Sequence, residues 1–107
     1  MRILSWNCQR LSNPLTIRSL HKLVKDQAPT TCFLMETRLD REGFKYHCRE
    51  LPFQNKFIVK KPNGGGGLAL IWKAEVQLDV INFTEHHILA RVVEDDGFAW
   101  MLTCFYG

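Results

Sequence analysis

Two short segments end on side chains able to act at a site. Ile3-Leu4-Ser5-Trp6-Asn7 and Phe33-Leu34-Met35-Glu36-Thr37 each run apolar and then turn polar, at a carboxamide and at a carboxylate. α/β enzymes present chemistry in this way, because their ligands bind beyond the carboxyl ends of strands. Taken singly, each residue also has a plainer reading. Asn7 is a strand-ending turn former. Glu36 is a solvated carboxylate that pairs with Arg38, and Tyr106 is a half-buried strand aromatic.

Other chemistry-bearing features are weaker. The glycines 64 to 67 are not a phosphate-binding loop, because no Gly-Lys-Ser/Thr follows and the next element reads as a strand, which offers no helix N-terminus to an anion. Pro62-Asn63 and these glycines read as a flexible turn. Lys60-Lys61 before it is a solvated pair, or a contact for a nucleic-acid backbone. His86-His87 reads as two solvated residues on a turn. His47-Cys48 and His86-His87 lack the second spaced pair that structural zinc needs.

The elements that must position Asn7 and Glu36 follow from periodicity. Arg2 to Asn7 reads as a short buried strand. Asn13 is an N-cap before Pro14 at the first helical position. Ile17, Leu20, Leu23 and Val24 recur at helical spacing, and the helix ends near Gln27, before Pro29. Thr31 to Glu36 is a second apolar strand. Parallel strands joined by one helix have a right-handed crossover and point the same way. If the two strands lie close in the sheet, Asn7 and Glu36 emerge side by side on one edge.

Beyond this β-α-β unit, Asp40 to Glu50 reads as a helix interrupted by Gly43 and stopped before Pro52. Strands follow at Lys56 to Lys60, Leu68 to Trp72, Val76 to Phe83, Ile88 to Val93 and Ala99 to Tyr106, with a hairpin turn at Asp95-Asp96-Gly97. The second half is expected to be a mostly antiparallel meander in an α/β fold. Trp6, Trp72 and Trp100 lie in apolar strands and read as packing residues.

Length and composition set the outer limits. One hundred and seven residues is one domain's length, and 46% hydrophobic content is enough for a packed core. The net charge of +3 is too mild to demand a polyanionic partner. Cys8, Cys32, Cys48 and Cys104 form no Cys-x-x-Cys pair, the start lacks a leader pattern, and no stretch is long enough to cross a membrane, so a reduced, intracellular setting is the simplest reading.

Taken together and in order, Ser5-Trp6-Asn7, Met35-Glu36-Thr37, Gly66-Gly67-Leu68-Ala69-Leu70-Ile71-Trp72 and Phe105-Tyr106-Gly107 resemble the endonuclease/exonuclease/phosphatase superfamily. The nearest likeness is to the endonuclease domains of plant LINE-type (non-LTR) retroelements, which begin with a similar Trp-Asn-Cys-Gln-Gly-Leu and Met-Glu-Thr. The resemblance implies the amino-terminal part of a four-layer α/β/β/α sandwich that hydrolyses phosphodiesters with Mg²⁺ or Mn²⁺. It implies DNA or another phosphodiester as partner and allows a nuclear location. Glu36 is then the metal ligand, and Asn7 lies beside it to orient the carboxylate or the phosphate. Tyr106 matches a tyrosine that contacts the scissile phosphate, and Gln9 stands where some relatives have an acidic residue.

Two departures qualify the activity. Arg10 stands where the family has glycine. The Asp-x-Asn and Asp-His segments of complete relatives are not among these residues, and none of His21, His47, His86 or His87 stands in a Ser-Asp-His context. The expectation is therefore an amino-terminal fragment with negligible activity of its own, exposing a sheet edge and an apolar face. The alternative is a non-catalytic nucleic-acid-binding or interaction module on the same scaffold.

Overall fold

The structure, a computed structural model, describes residues 1–60 and 66–107. Of the expected flexible turn from Pro62 to Gly67, residues 62–65, with Lys61 before them, lie outside the described residues. The chain order is β1 (Ile3–Asn7), α1 (Pro14–Gln27), β2 (Thr31–Met35), α2 (Arg41–His47), β3 (Asn55–Val59), β4 (Leu68–Trp72), β5 (Gln77–Phe83), β6 (His87–Val93) and β7 (Ala99–Phe105).

The first unit forms as its local signals require. The Asn13 side chain accepts the N–H of Leu15 at 2.9 Å, and Pro14 opens α1 where its missing N–H costs nothing. Ala28 closes the helix in a left-handed conformation (φ 48°), its N–H bonded to the Val24 carbonyl. Leu20 and Val24 are the buried stripe of α1. The chain then returns as β2, which pairs parallel with β1 in the register Ile3↔Thr31 to Asn7↔Met35; β1 is not the buried strand expected, because it is an edge strand that alternates half-buried and exposed residues.

The second half divides where a single meander was expected. β4 pairs antiparallel with both β2 and β3, giving a four-stranded sheet of order β1-β2-β4-β3. Only β5, β6 and β7 form the meander, as a separate three-stranded sheet. The reason lies in burial. Leu68 to Ile71 are all buried, so β4 is an interior strand covered on both faces, and it joins the other such strand, β2.

α2 also differs from expectation. It ends at His47: Cys48 N–H makes the last helical bond, to the Phe44 carbonyl, and the chain then turns with Leu51 N–H bonded to the Cys48 carbonyl. Gly43 does not interrupt it: the Gly43 N–H is held by the Asp40 carboxylate at 2.8 Å, as an N-cap requires.

Two interiors result. Cys32, Leu34, Ala69 and Ile71 face the helices and pack with Leu11, Leu20, Val24 and Phe44. Phe33, Leu68 and Leu70, on the other face of the same strands, pack against Leu78, Ile88, Ala90, Val92 and Cys104 of the smaller sheet. Trp6 borders the first interior, and Trp72 and Trp100 border the second, as packing residues do. The outward face of the smaller sheet bears exposed Met101 and Phe105, half and more than two-thirds accessible (50% and 69%).

Candidate functional site

The parallel register brings the tips of β1 and β2 to one edge. Asn7 pairs with Met35, so Asn7 and Glu36 leave neighbouring strands at the same border. Asn7 is exposed and Glu36 half-buried, and neither is sealed in the interior. The Asn7 carboxamide oxygen accepts the Gln9 N–H at 3.1 Å, a local turn that leaves the NH₂ group and the second oxygen lone pair without a partner among the described residues.

The two tips are then zipped together. The Cys8 N–H reaches the Met35 carbonyl at 2.8 Å, and the Leu11 N–H reaches the Thr37 carbonyl at 3.1 Å. From the other side, Thr37 N–H bonds to Gly67 at 3.2 Å and Arg38 N–H to Gly66 at 2.8 Å. Between these anchors the backbone is unusual. Gln9, Glu36 and Arg38 have φ of 60°, 53° and 55°, the left-handed region that costs a non-glycine residue energy. Strain of this kind persists only where surrounding contacts over-determine it, and it collects at ligand sites.

Gly67 makes the close approach possible. Its φ is 91°, and a Cβ there would stand 2.9 Å from Thr37 Oγ1. Thr37 itself is fully buried, with its hydroxyl 3.5 Å from the Leu39 N–H. The loop carrying Glu36 is thus set by Gly67 on one side and by the β1 loop on the other.

Tyr106 reaches this border from the other sheet. Its N–H bonds to the His86 carbonyl at 2.7 Å, which extends β7 past Phe105. Its phenol is pushed above the usual value, first by hydrogen bonding to the Glu36 carboxylate, then by burial and that carboxylate's charge, with Arg38 opposing. The structure therefore gathers Glu36, Tyr106 and Arg38, with Asn7 on the adjoining tip. Gln9 lies in the same loop.

Thr37 and Gly67 stood in the quoted motifs and Arg38 was read only as a partner of Glu36; their positioning roles, and that of the His86 carbonyl, were not foreseen. The signals present were a Thr-Arg pair directly after the glutamate and glycines directly before an apolar strand. His86 and His87 do not join the cluster through their rings. His87 is held between Thr84 Oγ1 (2.8 Å) and Asn82 Oδ1 (3.0 Å), and His86 contacts Glu85 at 3.3 Å. Among the described residues no three His, Cys, Asp or Glu side chains converge, and no helix is long and apolar enough to cross a membrane.

The sequence matches no family model and no curated protein. Solved structures do match in shape. The human Nocturnin catalytic domain with bound sulfate is similar over 96% of this chain and 48% of its own, at 15% identity and a TM-score of 0.71. The AP endonuclease LMAP from Leishmania major matches over 98% and 39%, at 14% identity and a TM-score of 0.66. The Neisseria 3′ phosphatase NExo (D146N), bound to a product DNA hairpin, matches over 94% and 40%, at 19% identity and a TM-score of 0.57. The chain thus spans less than half the length of each. These structures are endonuclease/exonuclease/phosphatase superfamily members, and the present chain has the fold of part of their α/β sandwich.

Proposed function

We propose that this chain carries the metal-binding part of a divalent-metal-dependent phosphodiesterase site and does not hydrolyse DNA by itself. The observation that supports this reading is the Glu36 carboxylate in a left-handed backbone beside the Asn7 tip, near enough to Tyr106 of the second sheet to raise its phenol above the usual value.

The donor set fits a hard cation. It is all oxygen, with one carboxylate and one carboxamide, and Mg²⁺ binds through few carboxylates while retaining waters. Glu36 is the ligand, and Asn7 offers its second oxygen lone pair to the cation or its NH₂ to a phosphate. When bound, the cation neutralises charge on the phosphate oxygens and leaving group. Tyr106, kept as a neutral phenol, has an O–H that it would donate to a phosphate oxygen. Arg38 adds positive charge beside them.

A general base is the part not supplied. These residues contain no Asp-x-Asn or Ser-Asp-His segment, and base assistance alone contributes about 100- to 10,000-fold. With one carboxylate, cation binding is weak. The expected result is salt-sensitive DNA binding without nicking of supercoiled plasmid in Mg²⁺, and Mn²⁺-induced relaxation of resonances at residues 7 and 36 that is lost in Glu36→Ala. Plasmid nicking abolished by Glu36→Ala overturns the statement that the chain is inactive alone. Unchanged Mn²⁺ relaxation in that variant overturns the metal assignment.

A further inference from the structure

On the helix side of the four-stranded sheet, a cleft of about 240 Å³ opens between the end of α2 and β3. It lies three residues along β4 from Leu68, the partner of Met35, and so away from the Glu36 border. Its floor is Phe44, Cys48, Leu51, Phe53 and Ile71, all of the helix-side interior. Its rim is Lys45, Arg49 and Lys56.

Lys56 is the unexpected member. It pairs across the sheet with Ile71 and shares a face with Ile58, and both of those side chains pack into the helix-side interior. A half-buried lysine thus occupies a core-facing position. An inward charge on an edge strand discourages edge pairing, which accounts for one lysine but not for two more cations on the rim of the same cleft. Arg49 is held at the outer end of the rim, its guanidinium stacked 4.7 Å from the Tyr46 ring centre and bonded to the Tyr46 carbonyl, which leaves Lys45 and Lys56 as the nearer cations. Among the described residues, none of the three has a carboxylate within ion-pair distance. A cleft with charges of one sign and apolar walls concentrates the field on a counter-ion.

We propose that this cleft binds a small aromatic anion: a flat apolar body of one or two rings bearing a single anionic head. The floor takes the rings, and Lys45, Arg49 and Lys56 take the head. An apolar cavity of about 150 Å³ holds benzene, so the volume here suits a two-ring body.

The test is titration of 2-naphthoate into the ¹⁵N-labelled protein, followed by amide shifts over residues 44 to 56. Saturable binding is expected, with a dissociation constant of about 1 mM or lower for ~13 non-hydrogen atoms. The neutral 2-naphthylmethanol binds about tenfold more weakly. Lys56→Glu weakens naphthoate about tenfold, whereas Lys25→Glu, the same charge change on α1, alters it less than about twofold. Lys56→Met keeps the stem and lowers naphthoate affinity without changing naphthylmethanol, which serves if Lys56→Glu does not fold. Absence of saturation, equal effects of Lys56→Glu and Lys25→Glu, or competition by acetate at naphthoate concentrations overturns the proposal.

Discussion

Replacing Gly67 with alanine measures how tightly the loop that carries Glu36 is clamped. Gly97 is an internal control, because the two glycines have nearly the same backbone, φ 91° and 88°. At Gly97 an added Cβ meets nothing within 4 Å, so Gly97→Ala carries only the left-handed penalty of about 1–2 kcal/mol. At Gly67 the same methyl stands 2.9 Å from Thr37 Oγ1 and 3.4 Å from the Arg38 nitrogen. Thr37 is wholly buried and cannot swing into solvent. Overpacking of this kind adds about 1–3 kcal/mol. Gly67→Ala should therefore cost about 2–5 kcal/mol in total, a large share of the ~5–15 kcal/mol that holds a domain of this size. Urea unfolding with both variants at matched m-values reads the difference. In a Thr37→Ala background the clash atom is gone, and the Gly67→Ala cost should fall toward that of Gly97→Ala, a coupling of about 1 kcal/mol or more. Equal costs for the two glycine variants, within about 0.5 kcal/mol, or no response to Thr37→Ala, would refute the reasoning.

Three further outcomes are expected. Glu36→Gln removes the carboxylate that holds the Tyr106 proton, so the phenol titrates at lower pH; tyrosinate absorbance in a Tyr46→Phe background detects it, and an unmoved midpoint contradicts the contact. Burial pushes Cys8, Cys32 and Cys48 up to about 12 and Cys104 to about 11, from 9.0. Because the folded values are raised, their contribution is complete below pH 9.0 and is lost as pH climbs toward 11 to 12; a urea midpoint that does not fall between pH 8 and pH 10 contradicts this. Asn13→Ala removes the cap on Leu15 N–H and should cost about 1 kcal/mol, read as a lower urea midpoint, whereas a change confined to the experimental error would deny the cap its role.

The β-α-β unit was legible because its signals are local. Asn13-Pro14 and Pro29 mark the helix ends, and the apolar spacing of Leu20 and Val24 marks its buried stripe. With β1 and β2 adjacent in the sheet, the common border of Asn7 and Glu36 follows from the parallel crossover. Pairing partners were less legible. Leu68 to Ile71 announces a strand buried on both faces, but periodicity does not say that β2, over thirty residues earlier, lies beside it. The loops were least legible. Nothing in the letters of Gln9, Glu36 or Arg38 signals a left-handed backbone, since that conformation is imposed by hydrogen bonds to Met35, Thr37, Gly66 and Gly67 across the fold. Likewise Gly43 looks like a helix breaker until the Asp40 carboxylate is seen to hold its N–H.

Strands β2 and β4 wall both interiors at once, turning Cys32, Leu34, Ala69 and Ile71 one way and Phe33, Leu68 and Leu70 the other. Neither interior can melt while the other keeps its wall, so heating should produce a single calorimetric peak. Amide protons along these two strands should be the last to exchange with deuterium. Damage to the helix layer is then felt at Glu36, because the ribbon that bears it is a party wall.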